Sequence, residues 1–307
     1  MILRLWKKQT DPLDSLKSGL SEELLNEPLL TDHAKTECYL TVALGIRPCA
    51  LVTIPAELAD GPELGRKIDT LCAEDLREVT EAPPERKPLL IPKLRNRIRE
   101  SFRKVVFSSA SYKAHTSWAR KLSLRTVDVE VRPSIHELYL FMDSAVENQL
   151  KRLTAFRASA RQLAFSKGLV GTRTSLAYAE ELSADYLNSM GKLLGYPPCC
   201  VKAYADDRLS GGANAETRAS MQLRQTDETT RQSSVYAYFA RNFFPCNPQC
   251  RNANEIGRNA FQRLSDVNPK LRAIYFECMR KNAEAVMEYP ELTRQYSQKM
   301  EKTVTDS

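Results

Sequence analysis

Histidine is scarce in this chain: His33, His115 and His136 are the only three in 307 residues. None has a histidine partner at helical spacing and none adjoins a cysteine pair, which argues against a histidine-rich metal site. Only His136-Glu137 could be added to a site by folding. Long apolar runs are missing as well. The longest, residues 38–46, is about nine residues, whereas a membrane-spanning helix needs about 20, and the mean hydropathy is -0.43. Apolar residues open the chain at Met1-Ile2-Leu3, but charge returns at once and no small-residue cleavage site follows, so a secretory leader is not expected. The expectation is a soluble, cytoplasmic protein without a membrane partner.

Walker and dinucleotide-binding fingerprints are absent, as are internal repeats and low-complexity tracts. One segment has some of the right ingredients. Ser166-Lys167-Gly168-Leu169-Val170-Gly171-Thr172-Arg173-Thr174-Ser175 combines glycines, hydroxyls and two cations just before a helical stretch. Lys167, Thr172 and Arg173 form a candidate anion-binding group there, against the simpler reading of a capped interhelical turn.

The net charge of +7 is unevenly spread. Eight basic residues lie between Arg86 and Lys104 against a single acid, Glu100. Leu94, Ile98 and Phe102 recur at i+4, so one stripe of a helix packs inward while Arg95, Arg99 and Arg103 line a neighbouring stripe, with Lys93 and Arg97 close by. A solvated amphipathic face is the plain reading, because no nucleic-acid module motif accompanies the stripe. Nucleic acid is the alternative partner.

The pattern predicts an α+β protein of two parts. Residues 1–145 read as a mixed α/β domain, with strands over 40–46, 50–54, 105–108 and 122–131 and helices over 63–78 and 94–104. Pro83-Pro84, Pro88 and Pro92 suggest an extended surface connection between those helices. Residues 146–307 read as a mainly helical domain, with one helix ending at Gly195, one spanning 236–244, one opening at Asn268-Pro269 and the last opening at Tyr289-Pro290. Residues 226–234 read as a loop or frayed joint.

Cysteine is what the chain does have. There are eight, and without an export signal they read as reduced thiols rather than a disulfide framework. Cys38, Cys49, Cys72 and Cys278 sit in apolar patterns and read as core fillers. The other four form two proline-flanked pairs, Gly195-Tyr196-Pro197-Pro198-Cys199-Cys200 and Phe244-Pro245-Cys246-Asn247-Pro248-Gln249-Cys250. Each pair falls where one helix stops and another starts, so the thiols lie near helix N-termini, where unpaired amides and the dipole favour thiolate. Thiolates fixed at backbone corners are the soft ligands of zinc, copper and iron–sulfur centres. Cys246-x3-Cys250 has zinc-ligand spacing; adjacent Cys199-Cys200 suits the larger body of a cluster better.

These residues resemble a family of uncharacterised archaeal and bacterial proteins marked by a Gly-Tyr-Pro-x-Cys-Cys segment followed by a Pro-Cys-x-x-x-Cys segment. The resemblance spans roughly residues 179–258 and implies no reaction. Taken with the residues themselves, it leads to the expectation of a cytoplasmic metal- or iron–sulfur-dependent enzyme or redox protein acting on a small anionic substrate. Its centre would be built from Cys199, Cys200, Cys246 and Cys250. An iron–sulfur cluster is the first cofactor expected, with zinc or another transition metal as the alternative. The competing functions are a zinc-stapled nucleic-acid-binding protein and a metal-free dithiol switch.

Overall fold

The computed structural model describes residues 16–166, 178–210 and 214–305. Lys167, Thr172 and Arg173, the candidate anion-binding group, lie outside the described residues. The architecture is α+β, with a three-stranded sheet in the first half and helices throughout the second. The described residues form two compact units. One holds 16–45, 50–142 and 264–271; the other holds 46–49, 143–263 and 272–305.

In the first unit, strands β1 (Cys49–Ile54), β2 (Arg125–Arg132) and β3 (Ile135–Phe141) lie in the order β1-β3-β2. β2 and β3 pair antiparallel from Arg125↔Phe141 to Arg132↔Ile135, with an irregularity between Glu130 and Arg132. β3 is the central strand, and its burial shows it: Leu138, Tyr139, Leu140 and Phe141 are all buried. Helices α1 (Gly61–Glu81) and α2 (Lys87–Val105) form a hairpin, followed by α3 (Ala110–Lys121), capped by the Ser109 hydroxyl at the Tyr112 amide. Trp118, Phe102 and Tyr39 are fully buried in this unit's core.

Three expectations for this unit are corrected. Residues 40–46 are not a strand: a π-helical stretch, Ala34–Leu40, runs into the short helix Thr41–Ala43, and every residue from 34 to 44 is buried. A short apolar run buried on all sides carries no period that separates strand from helix. Residues 105–108 are the end of α2 and its turn. The proline-rich stretch is helical from Lys87 on, with Pro88 in the first turn, where its missing N–H costs no bond, and Pro92 inside. Packing of α2 along α1 outweighs the one backbone bond that Pro92 removes. The basic stripe also looks different in three dimensions, since Lys93 faces Glu78 at 3.6 Å, Arg97 faces Asp75 at 3.7 Å and Arg99 meets Glu130 at 2.7 Å.

The second unit contains α4 (Ser144–Ser166), α5 (Ala184–Leu193), α6 (Pro198–Ser210), α7 (Ala215–Gln225), α8 (Glu228–Ser233), most of α9 (Arg251–Val267) and most of α10 (Pro269–Thr305). α8 occupies part of the stretch expected as a joint. Residues 236–244 hold only a 3-10 turn, Val235–Tyr238, because Phe239 and Phe243 turn inward onto Tyr196 and Asn242 takes a left-handed backbone. α10 runs through Pro290 instead of starting there.

Candidate metal centre

The first corner is set by Gly195. α5 closes in a Schellman arrangement, with Tyr196 N–H donating to the Gly191 carbonyl at 2.9 Å and Gly195 N–H to the Lys192 carbonyl at 3.1 Å. This needs φ of +72° at Gly195, and a Cβ there would also stand 2.8 Å from the Pro48 ring. Gly191 allows the next helix to come close: its missing Cβ would lie 2.4 Å from a Val201 methyl. Pro198 then opens α6, so Cys199 and Cys200 occupy its first turn.

The second corner is irregular. Cys250 sits immediately before α9, and its sulfur accepts the Ala253 backbone amide, so a thiol serves as the helix cap. Asn252 and Asn254 brace this corner. Asn254 Nδ2 donates to the Pro248 and Cys250 carbonyls at 3.4 and 3.0 Å, and Asn252 Nδ2 reaches the Cys199 sulfur at 3.5 Å.

Folding brings the two corners together. The four sulfurs of Cys199, Cys200, Cys246 and Cys250 lie within 4.8 Å of one another. Cys199 to Cys250 is 3.6 Å, Cys200 to Cys250 is 3.5 Å and Cys199 to Cys200 is 4.0 Å. Polar groups surround the thiols: Cys246 N–H donates to the Cys200 sulfur at 3.4 Å, and Asn247 Nδ2 to the Cys246 sulfur at 3.5 Å. Cys200 and Cys250 are buried, Cys246 is intermediate and Cys199 is exposed.

The electrostatics of the group is that of crowded, partly buried thiols. Burial, with the negative charges of Cys250 and Cys246, drives the Cys200 thiol far above its ordinary value. Burial likewise pushes Cys250 up to about 11. Burial works against the Cys199 thiolate too, but hydrogen bonds from Cys250, Asn252 and Cys200 outweigh it and hold that thiol below its usual value. Without an ion the buried thiols therefore stay protonated; a soft cation among them would favour the thiolates by offsetting their mutual repulsion. The donor set fits such an ion.

Two residues that no motif marked hold the corners in register. Arg218 on α7 donates from Nη1 to the Pro245 and Cys246 carbonyls at 2.9 and 3.0 Å, and from Nε to Asp207 at 2.7 Å. Asp207 lies on α6, the helix that begins with Cys199-Cys200, so a single guanidinium ties the backbone of one corner to the helix of the other. The residue types alone gave no signal, because an arginine on a helix face usually meets solvent. Arg251 and Glu255 pair with each other at 2.8 Å in the open, and Tyr204 bonds Glu181 and Arg208.

A groove of about 870 Å³ opens in this unit, lined by Asn188, Lys192, Tyr196, Asn252, Glu255 and Asn259 among others. Asn252 belongs both to its wall and to the hydrogen bonds of Cys199. The histidines take no part in the thiol group. His33 faces Glu37 at 2.9 Å, Tyr39 donates to the His115 carbonyl, and His136 bonds Asp128 and stacks on Phe102 with ring centres 4.2 Å apart.

Residues 161–271 match a family described as "protein of unknown function (DUF483)", a span that includes both cysteine pairs and Arg218. No curated protein and no solved structure matches the chain. No helix among the described residues is long and apolar enough to cross a membrane.

Proposed function

We propose that Cys199, Cys200, Cys246 and Cys250 hold one tetrahedral zinc ion that staples the helical unit by joining the corner before α6 to the corner before α9. The mutual closeness of the four sulfurs carries this reading. A tetrahedron with zinc–sulfur bonds of about 2.3 Å has sulfur–sulfur edges of about 3.8 Å. The three separations among Cys199, Cys200 and Cys250, of 3.5, 3.6 and 4.0 Å, bracket that edge, and the Cys246 sulfur lies within 4.8 Å of the others. An iron–sulfur cluster, which the adjacent cysteines suggest, interposes several irons and sulfides between its thiolates and needs them spread wider. Four protein ligands also close the coordination shell, as structural zinc sites do, and leave no open position for redox or Lewis-acid chemistry. Zinc analysis with an absorption spectrum on protein purified without oxygen tests this. Colourless protein with about one zinc per chain is expected; brown protein carrying iron and acid-labile sulfide would return the cluster enzyme.

A second reading, that the unit binds a small anionic molecule, is favoured by the groove beside the thiols. Lys192 supplies its positive charge. Inorganic phosphate or a short dicarboxylate should raise the melting temperature of the wild type and leave Lys192→Glu unchanged; equal shifts in both would remove this reading. The nucleic-acid reading is the weaker one, because carboxylates already face Lys93, Arg97 and Arg99.

A further inference from the structure

We propose that Cys199 is an oxidation site: a peroxide attacks it, Cys250 resolves the product as a disulfide, and the centre then releases its ion. This rests on the zinc reading above. Of the eight cysteines, Cys199 is the one classed as exposed, while Cys200 and Cys250 behind it are buried. An oxidant arriving from solvent therefore meets Cys199 first. The Cys250 sulfur lies 3.6 Å from it, and a disulfide bond of about 2.0 Å requires an approach of about 1.6 Å. Cys200 is farther, at 4.0 Å, and is bonded to Cys199 through one helical peptide in the first turn of α6. A Cys199–Cys200 disulfide would close a small ring around that peptide and break the turn; Cys250 approaches from another element and carries no such constraint.

The chemistry balances with a peroxide as the only oxidant. The Cys199 sulfur attacks one peroxide oxygen, the O–O bond breaks, and the leaving hydroxide takes a proton to become water. Cys199 is left as a sulfenic acid. The Cys250 thiolate attacks that sulfur, the S–O bond breaks, and the second hydroxide also leaves as water. Each sulfur has given up one electron and the peroxide has accepted two. Cys200 and Cys246 alone remain as thiolates, too few to retain the ion in a four-coordinate site. The disulfide spans 51 positions and keeps the starts of α6 and α9 tied together, while the Cys246 side of the second corner loses its anchor. A dithiol reductant returns both thiols by exchange and restores the ligand set.

The test uses zinc-loaded, full-length wild-type protein titrated with hydrogen peroxide. A chromogenic chelator follows the zinc, and differential alkylation with peptide mass spectrometry identifies which thiols have reacted. Zinc release should track the appearance of a Cys199–Cys250 linkage, with Cys200 and Cys246 still open to alkylation, and dithiothreitol plus zinc should reverse both. A first linkage in any other pair, Cys199 oxidised to sulfinic acid without a disulfide, or zinc retained under excess peroxide would each overturn the proposal while leaving the zinc staple standing. Protein that carries no zinc before peroxide is added would bring down the staple itself, and this proposal with it.

Discussion

The first unit buries Cys38 and Cys72 singly, whereas the second, which also buries Cys278 on α10, gathers four thiols in one place. In the first, Cys38 and Cys72 are buried one at a time inside helices, Cys38 against the Leu51 carbonyl at 3.3 Å and Cys72 against the Ser101 hydroxyl at 3.5 Å. In the second, four thiols sit at two corners, Cys199 and Cys200 in the first turn of α6 and Cys246 and Cys250 in the bend before α9, and converge within 4.8 Å. All of these side chains are thiols. What differs is the backbone, because side chains along a helix fan outward and cannot share a centre unless a second element meets them, whereas a corner can turn several of them inward. A group of thiols able to hold a metal is thus made by where helices meet at corners, and much less by how many cysteines a chain contains.

Removing the ion should sharpen that contrast most. A strong chelator should destabilise the helical unit by several kcal/mol, as loss of a structural zinc does. Hydrogen exchange would show it as lost protection over residues 195–255 with little change over 49–141. Uniform loss across both stretches would end the idea that the staple serves one unit.

Single thiol substitutions come next. Cys200→Ser and Cys246→Ser should each lower zinc stoichiometry to well under one per chain, while Cys72→Ser and Cys278→Ser should leave it unchanged, as measured by elemental analysis after gel filtration. Equal loading in all four variants would dissolve the distinction between the two kinds of cysteine.

Arg218→Met should weaken zinc binding by about 10–100-fold, the usual effect of losing a group that orients ligands without touching the ion. Arg218→Lys should fall between, since it keeps a charge for Asp207 but cannot fork to both carbonyls. Competition with a chromogenic chelator gives the affinity, and an unchanged value for Arg218→Met would mean that the corner holds its shape unaided.

The last effect expected belongs to the first unit and is one of pH. Burial pushes His115 down to about 4, so this ring stays neutral in the fold, and stability is lost as pH falls from about 6.5 toward that value, by about 3 kcal/mol in all. Its environment includes the Tyr39 hydroxyl and, at longer range, Glu57, Asp60, Glu27 and His33. His33 behaves in the opposite sense. Burial opposes its charge, but Glu37 and Cys38 outweigh that and raise it well above 6.5, and Glu57 stands 3.6 Å away. Its contribution is complete below about 6.5 and is lost as pH rises through the raised value. Chemical denaturation followed by Trp118 fluorescence should give greatest stability near pH 6.5; a curve rising steadily to pH 9 would contradict the His33 assignment.

Parts of this molecule could be read without a structure. The helical stop at Gly195 and the helix starts at Pro198 and just after Cys250 follow from glycine, proline and local chain stiffness, and all three stand where expected. β1 and β2 were visible as runs of β-branched residues. What failed shares one cause. Residues 40–46, the helix through Pro92, the helix through Pro290 and the unwound stretch after Tyr238 are all places where packing overrode local preference. The family match, over residues 161–271, covers the thiol-bearing part of the chain and adds no chemistry to it.

By itself, the sequence determined the α+β class, the shortage of histidine and the position of two thiol pairs at helix boundaries, because each follows from residue type and short-range backbone geometry. Only the tertiary structure decided that the pairs meet, that Arg218 and Asp207 hold them in register, that Cys199 is the most exposed of the four thiols and that Lys93, Arg97 and Arg99 of the basic segment meet carboxylates. These depend on contacts between separate elements, from Asp207 with Arg218, 11 positions apart, to Cys199 with Cys250, 51 positions apart, and no local rule reaches from one element to another.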